Sequence, residues 1–136
     1  MVHCEIVYEG SLRTRATHGP SGDTLITDAP VDNRGKGETF SPTDLVGVAL
    51  GTCVLTLMGI AANDMGRDLE HPQAQVKKTM KATPVRHIAR LTVDVELGGT
   101  WTQEERIVLE KAALDCPVRA SLGDRVNVEM TFHWRG

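Results

Sequence analysis

Nineteen consecutive residues, Leu45 to Asn63, carry no charged side chain, and this stretch decides what the rest of the chain must do. Its length is close to the ~20 residues that a bilayer-spanning helix needs. It also holds Gly47, Gly51 and Gly59 with Thr52 and Thr56, and Asp44 and Asp64 bound it in place of basic and aromatic interface anchors. A helix apolar on every side is otherwise a buried one. In a chain of 136 residues, the size of one ordinary domain, burying it on all sides is hard unless a second chain covers it. The stretch predicts a buried central helix and a partner subunit.

Charge and composition narrow the class. Fifteen Lys and Arg against 18 Asp and Glu give a net charge of −3, without the basic stripe of a nucleic-acid binder. Hydrophobic residues make up 40%, too many for a disordered chain. With two Trp, two Phe and one Tyr, the core must be built from Val, Leu, Ile, Met and Ala. Three widely spaced cysteines are not a secreted disulfide framework. The opening residues MVHCEIVYEG lack the basic start and apolar run of a signal peptide. A reduced, cytoplasmic, single-domain protein is expected.

Alternating patterns predict strands at 2–8 and 11–17, joined by a turn at Glu9-Gly10-Ser11, and a third near Thr24–Thr27. The polar, glycine-rich segment from Asp28 to Thr39 reads as a loop on the surface or over a site, with Gly35-Lys36-Gly37 as a flexible stretch within it. Ser41 as N-cap, Pro42 at the first helical position and Asp44 three residues after the cap start a helix that runs to about Met65, with Gly66 as its stop. Strands follow at 74–82 and 88–97. Thr102 with Glu105 forms a second capping box, and Ile107, Val108, Ala112 and Leu114 give the next helix an apolar stripe. Asp115-Cys116-Pro117 breaks it, a short helical turn covers 118–122, and a last strand covers 126–134. The order β-β-β-α-β-β-α-α-β lacks repeated βαβ units and reads as α+β with antiparallel sheet. The expected parts of one domain over 1–136 are a β-hairpin region at 1–40, the central helix at 41–65 and a β-β-α-α-β part at 73–135.

Few residues are placed to do chemistry. Cys53 lies mid-helix between Thr52 and Val54, where a thiol often behaves as a small hydrophobe. Cys116 precedes Pro117 at the cap of the short helix, where orphan N–H groups favour a thiolate, or it simply marks a break between helices. Neither has a metal-spaced His or Cys nearby, so no zinc site and no bound cofactor is expected. Cys4 reads as structural. The Gly47-x-x-x-Gly51 spacing puts two small residues on one helical face and permits close approach of another element.

The run Phe40-Ser41-Pro42-Thr43-Asp44-Leu45-Val46, followed by Ala49-Leu50-Gly51-Thr52-Cys53, resembles the signature of the OsmC/Ohr family of osmotically inducible and organic-hydroperoxide-resistance proteins. Asp115-Cys116-Pro117-Val118 is similar to the family's second cysteine motif, and the order of elements matches across nearly the whole chain. The resemblance implies a two-layer α+β fold, with antiparallel sheets around a buried central helix, and an intertwined homodimer. It implies a thiol peroxidase in oxidative and osmotic stress defence. Cys53 would be the peroxidatic thiolate that becomes a sulfenic acid, and Cys116 the resolving thiol that condenses with it to a disulfide. A lipoyl-type dithiol or another small thiol would reduce the bridge.

The family also supplies an arginine beside the thiolate and, in hydroperoxidase members, a glutamate that orients it. At the glutamate position this chain has Thr43, with Asp44 next to it, and where some members place the arginine it has Pro20. Arg34, in the loop before the helix and 19 residues ahead of Cys53, takes the arginine role in this reading, with Arg13 and Arg15 as further candidates. These departures point to a general OsmC-like branch. The rival reading is a non-catalytic stress-related dimer that holds a small apolar ligand between its subunits; another is a redox sensor.

Overall fold

The computed structural model describes residues 1–136, and its central helix starts as the sequence predicts. The Ser41 hydroxyl accepts the Asp44 N–H at 3.1 Å while the Asp44 carboxylate accepts the Ser41 N–H at 2.9 Å, so each satisfies an orphan donor. Helix α1 runs Pro42–Asp64. Past its end, the Met65 and Arg67 amides both donate to Ala62 O, and Gly66 turns the chain with φ +75°. Six residues of α1 are buried (Gly47, Leu50, Gly51, Val54, Met58 and Ala62), at the three- and four-residue spacing of one face. Val48 and Ile60 stay exposed, Ile60 by 51%. On the exposed side Thr52 and Thr56 donate their hydroxyls to Val48 O at 2.9 Å and Thr52 O at 2.7 Å. By length and composition α1 could pass for a membrane span. Within the chain it is buried along one stripe and not all round.

Two compact units form, Met1–Val46 and Gly47–Gly136, and α1 begins in the first and continues in the second. The first holds an antiparallel sheet of β1 (Cys4–Gly10), β2 (Arg13–His18) and β3 (Thr24–Asp28), in that order. Its first turn differs from the expected Glu9-Gly10-Ser11. Ser11 and Leu12 occupy the two central positions, with φ of +54° and +63°, and Gly10 pairs with Arg13. A two-residue hairpin needs positive φ at both centres to match the strand twist, and this one adopts it without the usual Asn-Gly. The segment after β3 is tied down by its own backbone. Asn33 and Gly35 amides both donate to Pro30 O at 2.9 Å, and a Cβ on Gly35 would sit 1.7 Å from Ala29 O.

The second unit contains β4 (Glu70–Lys81), β5 (His87–Gly98), α2 (Gln103–Leu114), α3 (Pro117–Leu122) and β6 (Asn127–Arg135). β4 starts earlier than expected, through a bulge between Glu70 and Gln73. β4 and β5 pair antiparallel, but β6 lies parallel to β5, which corrects the all-antiparallel expectation. The connection through α2 and α3, residues 99–126, is long enough for the crossover that a parallel pair requires. Leu91, Val93, Val95 and Leu97 alternate inward along β5 and are fully buried, as are Leu109 and Ala113 of α2.

Helix α1 reaches this sheet at its glycines. A Cβ on Gly47 would lie 3.3 Å from Val76, and one on Gly51 would lie 2.9 Å from the same side chain. The Gly-x-x-x-Gly spacing therefore serves helix-on-sheet contact. At the far end Thr102 and Glu105 form the predicted capping box on α2. The Thr102 amide, with Arg67, holds Glu105 below the usual carboxylate range. The Arg67 guanidinium stacks 3.7 Å from the Trp101 ring centre, and Trp101 lies 6.4 Å from Trp134, whose Nε1 donates to Glu110.

Gly51→Ala should destabilise the protein, because Val76 must move. Gly59→Ala, whose Cβ meets nothing within 4 Å, should stabilise it by about 0.5–1 kcal/mol through helix propensity. Urea denaturation midpoints of the two variants, at unchanged m-value, check the pair of signs.

Candidate active site

The two cysteines that the sequence separates by 63 residues meet in the fold. Cys53 sits near the middle of α1, two residues past the Gly51 contact and beside buried Val54. Its thiol is partly exposed. Cys116 is the N-cap of α3, with extended backbone (φ −62°, ψ 139°) ahead of Pro117. The Cys116 sulfur accepts the Arg119 N–H at 3.3 Å, and no part of the residue is exposed. The two thiols are close enough to influence one another, and they are unbridged.

The cap position alone would favour a Cys116 thiolate, but burial outweighs it. Desolvation pushes the Cys116 thiol above its ordinary range, the Arg119 and Val118 amides pull it down, and the hydrogen bond and charge of Cys53 push it up again. Cys4 lies on β1 as a free, exposed thiol. No group of three or more His, Cys, Asp or Glu side chains is placed to hold a metal ion.

The arginines differ in their restraint. Arg34 closes a short 3-10 turn at Val31–Asn33 in left-handed backbone (φ +69°), and its side chain is exposed. The loop that carries it is pinned by Asp28, which is buried and accepts the Glu38 N–H at 3.0 Å; the Asp28 amide in turn donates to Phe40 O. Glu38 pairs with Arg13 at 3.5 Å, and Arg15 pairs with Glu9 at 3.1 Å. Thr43 and Ser41 hydroxyls lie 3.3 Å apart, and Asp44 is engaged in the α1 cap. Sequence reasoning missed Asp28 as the anchor of the Arg34 loop and the Arg119 amide as a partner of Cys116. Both act through backbone amides, which leave no mark in residue type.

A partly exposed helix-borne thiol thus stands near a buried, donor-capped thiol on an α+β frame. The OsmC-like protein family model matches residues 35–131, and the chain belongs to that family. A solved structure from Psychrobacter arcticus 273-4, a candidate osmotic stress induced and detoxification response protein, is 38% identical with a TM-score of 0.91, covering 98% of this chain and 96% of its own. The organic hydroperoxide resistance protein OsmC of Legionella pneumophila shares the fold at 17% identity and a TM-score of 0.80, covering 98% of this chain and 96% of that one. OhrB of Bacillus subtilis, an organic hydroperoxide resistance protein, shares it at 16% and 0.69, covering 97% of each chain. None of the curated proteins matches the chain.

Because the folded state holds the Cys116 proton more tightly than the unfolded chain does, its contribution to stability is complete below the ordinary thiol range. That contribution is lost as pH rises through the higher folded value. Under reducing conditions, the stability advantage of wild type over Cys116→Ala should shrink as pH is raised from 7 to 10; urea titrations at each pH check this.

Proposed function

We propose that the protein is a thiol peroxidase that reduces organic hydroperoxides in stress defence. The observation that carries this reading is the nearness of a partly exposed Cys53 to a buried Cys116, whose thiol burial pushes up. The Cys53 thiolate attacks the distal peroxide oxygen and the O–O bond breaks. The alkoxide leaves as an alcohol with one proton, and Cys53 becomes a sulfenic acid. Cys116 then attacks the sulfenic sulfur, giving the Cys53–Cys116 disulfide and water. A lipoyl-type dithiol or other small thiol returns both cysteines to thiols and is itself oxidised to a disulfide.

In this reading an alkyl peroxide is preferred over hydrogen peroxide, and the partly exposed Leu57 one turn past Cys53 supports that preference. In this reading Arg34, preorganised on its pinned loop, stabilises the thiolate. The setting is the cytoplasm.

The same reading includes a homodimer. Ile6 and Tyr8 on β1 are each 63% exposed, Ile60 on α1 is 51% exposed, and Ile107 on α2 is 56% exposed. Apolar area on this scale supports a covering second copy. Sedimentation equilibrium should give twice the 14.8 kDa chain mass, and a monomer at micromolar concentration would contradict this part.

Turnover with cumene hydroperoxide and a dithiol should exceed that with hydrogen peroxide by at least about ten-fold. Cys53→Ser should abolish it. Cys116→Ser should retain one oxidation event per chain without efficient turnover. Equal, free-thiol rates with both peroxides would contradict the reading.

A further inference from the structure

The two sulfurs of the pair have opposite surroundings. Cys53 has solvent-facing surface on α1, whereas Cys116 has none and already receives a backbone N–H at 3.3 Å. Thiol–disulfide exchange is an in-line displacement: the incoming thiolate approaches along the S–S axis, from the side away from the departing sulfur. Attack on Cys116 would have to come through the packing behind it. Cys53, in contrast, keeps partly exposed surface from which a thiol can come.

We propose that the reducing thiol always enters at Cys53, forming a mixed disulfide there, and that Cys116 is the leaving sulfur, received by the Arg119 amide. This rests on the reading that Cys53 and Cys116 bridge during the cycle. The thiolate R–S⁻ forms a bond to Cys53 Sγ, the Cys53–Cys116 bond breaks, and its electron pair goes to Cys116 Sγ. For a dithiol, the second thiol then displaces Cys53 and closes the reductant into a disulfide; its two protons end on the two cysteines. Burial makes Cys116 a poorer leaving group, and the Arg119 donor offsets part of that. Access decides the direction, because the alternative sulfur has no open approach. The ligand class that follows is a slender thiol able to reach a recessed helix-borne sulfur.

The test forms the disulfide in the wild-type protein with diamide, so that the result does not depend on peroxide chemistry. The oxidised protein is mixed with 2-mercaptoethanol for short times, quenched in acid, alkylated with N-ethylmaleimide and mapped by peptide mass spectrometry. The mixed disulfide should appear on the Cys53 peptide and the maleimide on Cys116. Adducts mainly on Cys116, or equal adducts on both, would overturn the proposal, as would absence of a Cys53–Cys116 bridge after diamide. A bridge that diamide forms and cumene hydroperoxide does not would count against the peroxidase reading alone. As a second measurement, single-thiol variants carrying thionitrobenzoate should release it to 2-mercaptoethanol at least about ten-fold faster from Cys53 (in Cys4→Ser/Cys116→Ser) than from Cys116 (in Cys4→Ser/Cys53→Ser), since exchange follows access to the attacked sulfur.

Discussion

The close approach of α1 to the β4–β5 sheet governs the second unit. Gly47 and Gly51 let the helix backbone come near enough that a single added methyl would meet Val76. Leu50, Val54, Met58 and Ala62 then sink on the same face, and β5 answers with Leu91, Val93, Val95 and Leu97. Cys53 rides two residues past the contact, at the margin of the buried stripe. It is therefore held by packing and still reachable. A residue one position earlier, Thr52, is exposed, and one position later, Val54, is buried. Helical geometry thus sets how far Cys53 is exposed.

The other thiol depends on a different constraint. Asp115-Cys116-Pro117 ends α2 and begins α3, and Pro117 fixes the backbone that turns Cys116 into an N-cap. A cap side chain is a hydrogen-bond acceptor by geometry, and here the acceptor is sulfur, with the Arg119 amide as donor. Because the corner is buried, desolvation pushes the Cys116 thiol above its ordinary range. The asymmetry between the two thiols therefore follows from where a helix lies and where another starts.

Much of this was legible in the residues. Capping boxes at Ser41/Asp44 and Thr102/Glu105 announce both long helices, and the Leu91-Val93-Val95-Leu97 alternation announces β5, because such signals are local. Where the pattern is silent, so was the expectation. Ser11-Leu12 adopts a positive-φ turn without glycine or asparagine. The parallel pairing of β6 is a matter of topology that a strand's own alternation does not encode. Glycine at 35 reads as flexibility, whereas the Ala29 carbonyl that crowds it makes it a steric necessity in a pinned loop. In the candidate site, both cysteines were visible by type and element. Their contact, and the role of the Arg119 amide, exist only once residues 53 and 116 are folded together.

The central claim is that Cys53 and Cys116 form one redox pair within a chain, and disulfide mapping tests it most directly. Reduced protein is treated with one equivalent of cumene hydroperoxide, alkylated, denatured and digested without reductant. The account predicts a single cross-linked peptide joining Cys53 to Cys116 of the same chain, with Cys4 alkylated. Recovery of Cys53 and Cys116 as free, alkylated thiols, or a bridge that involves Cys4 instead, would contradict it.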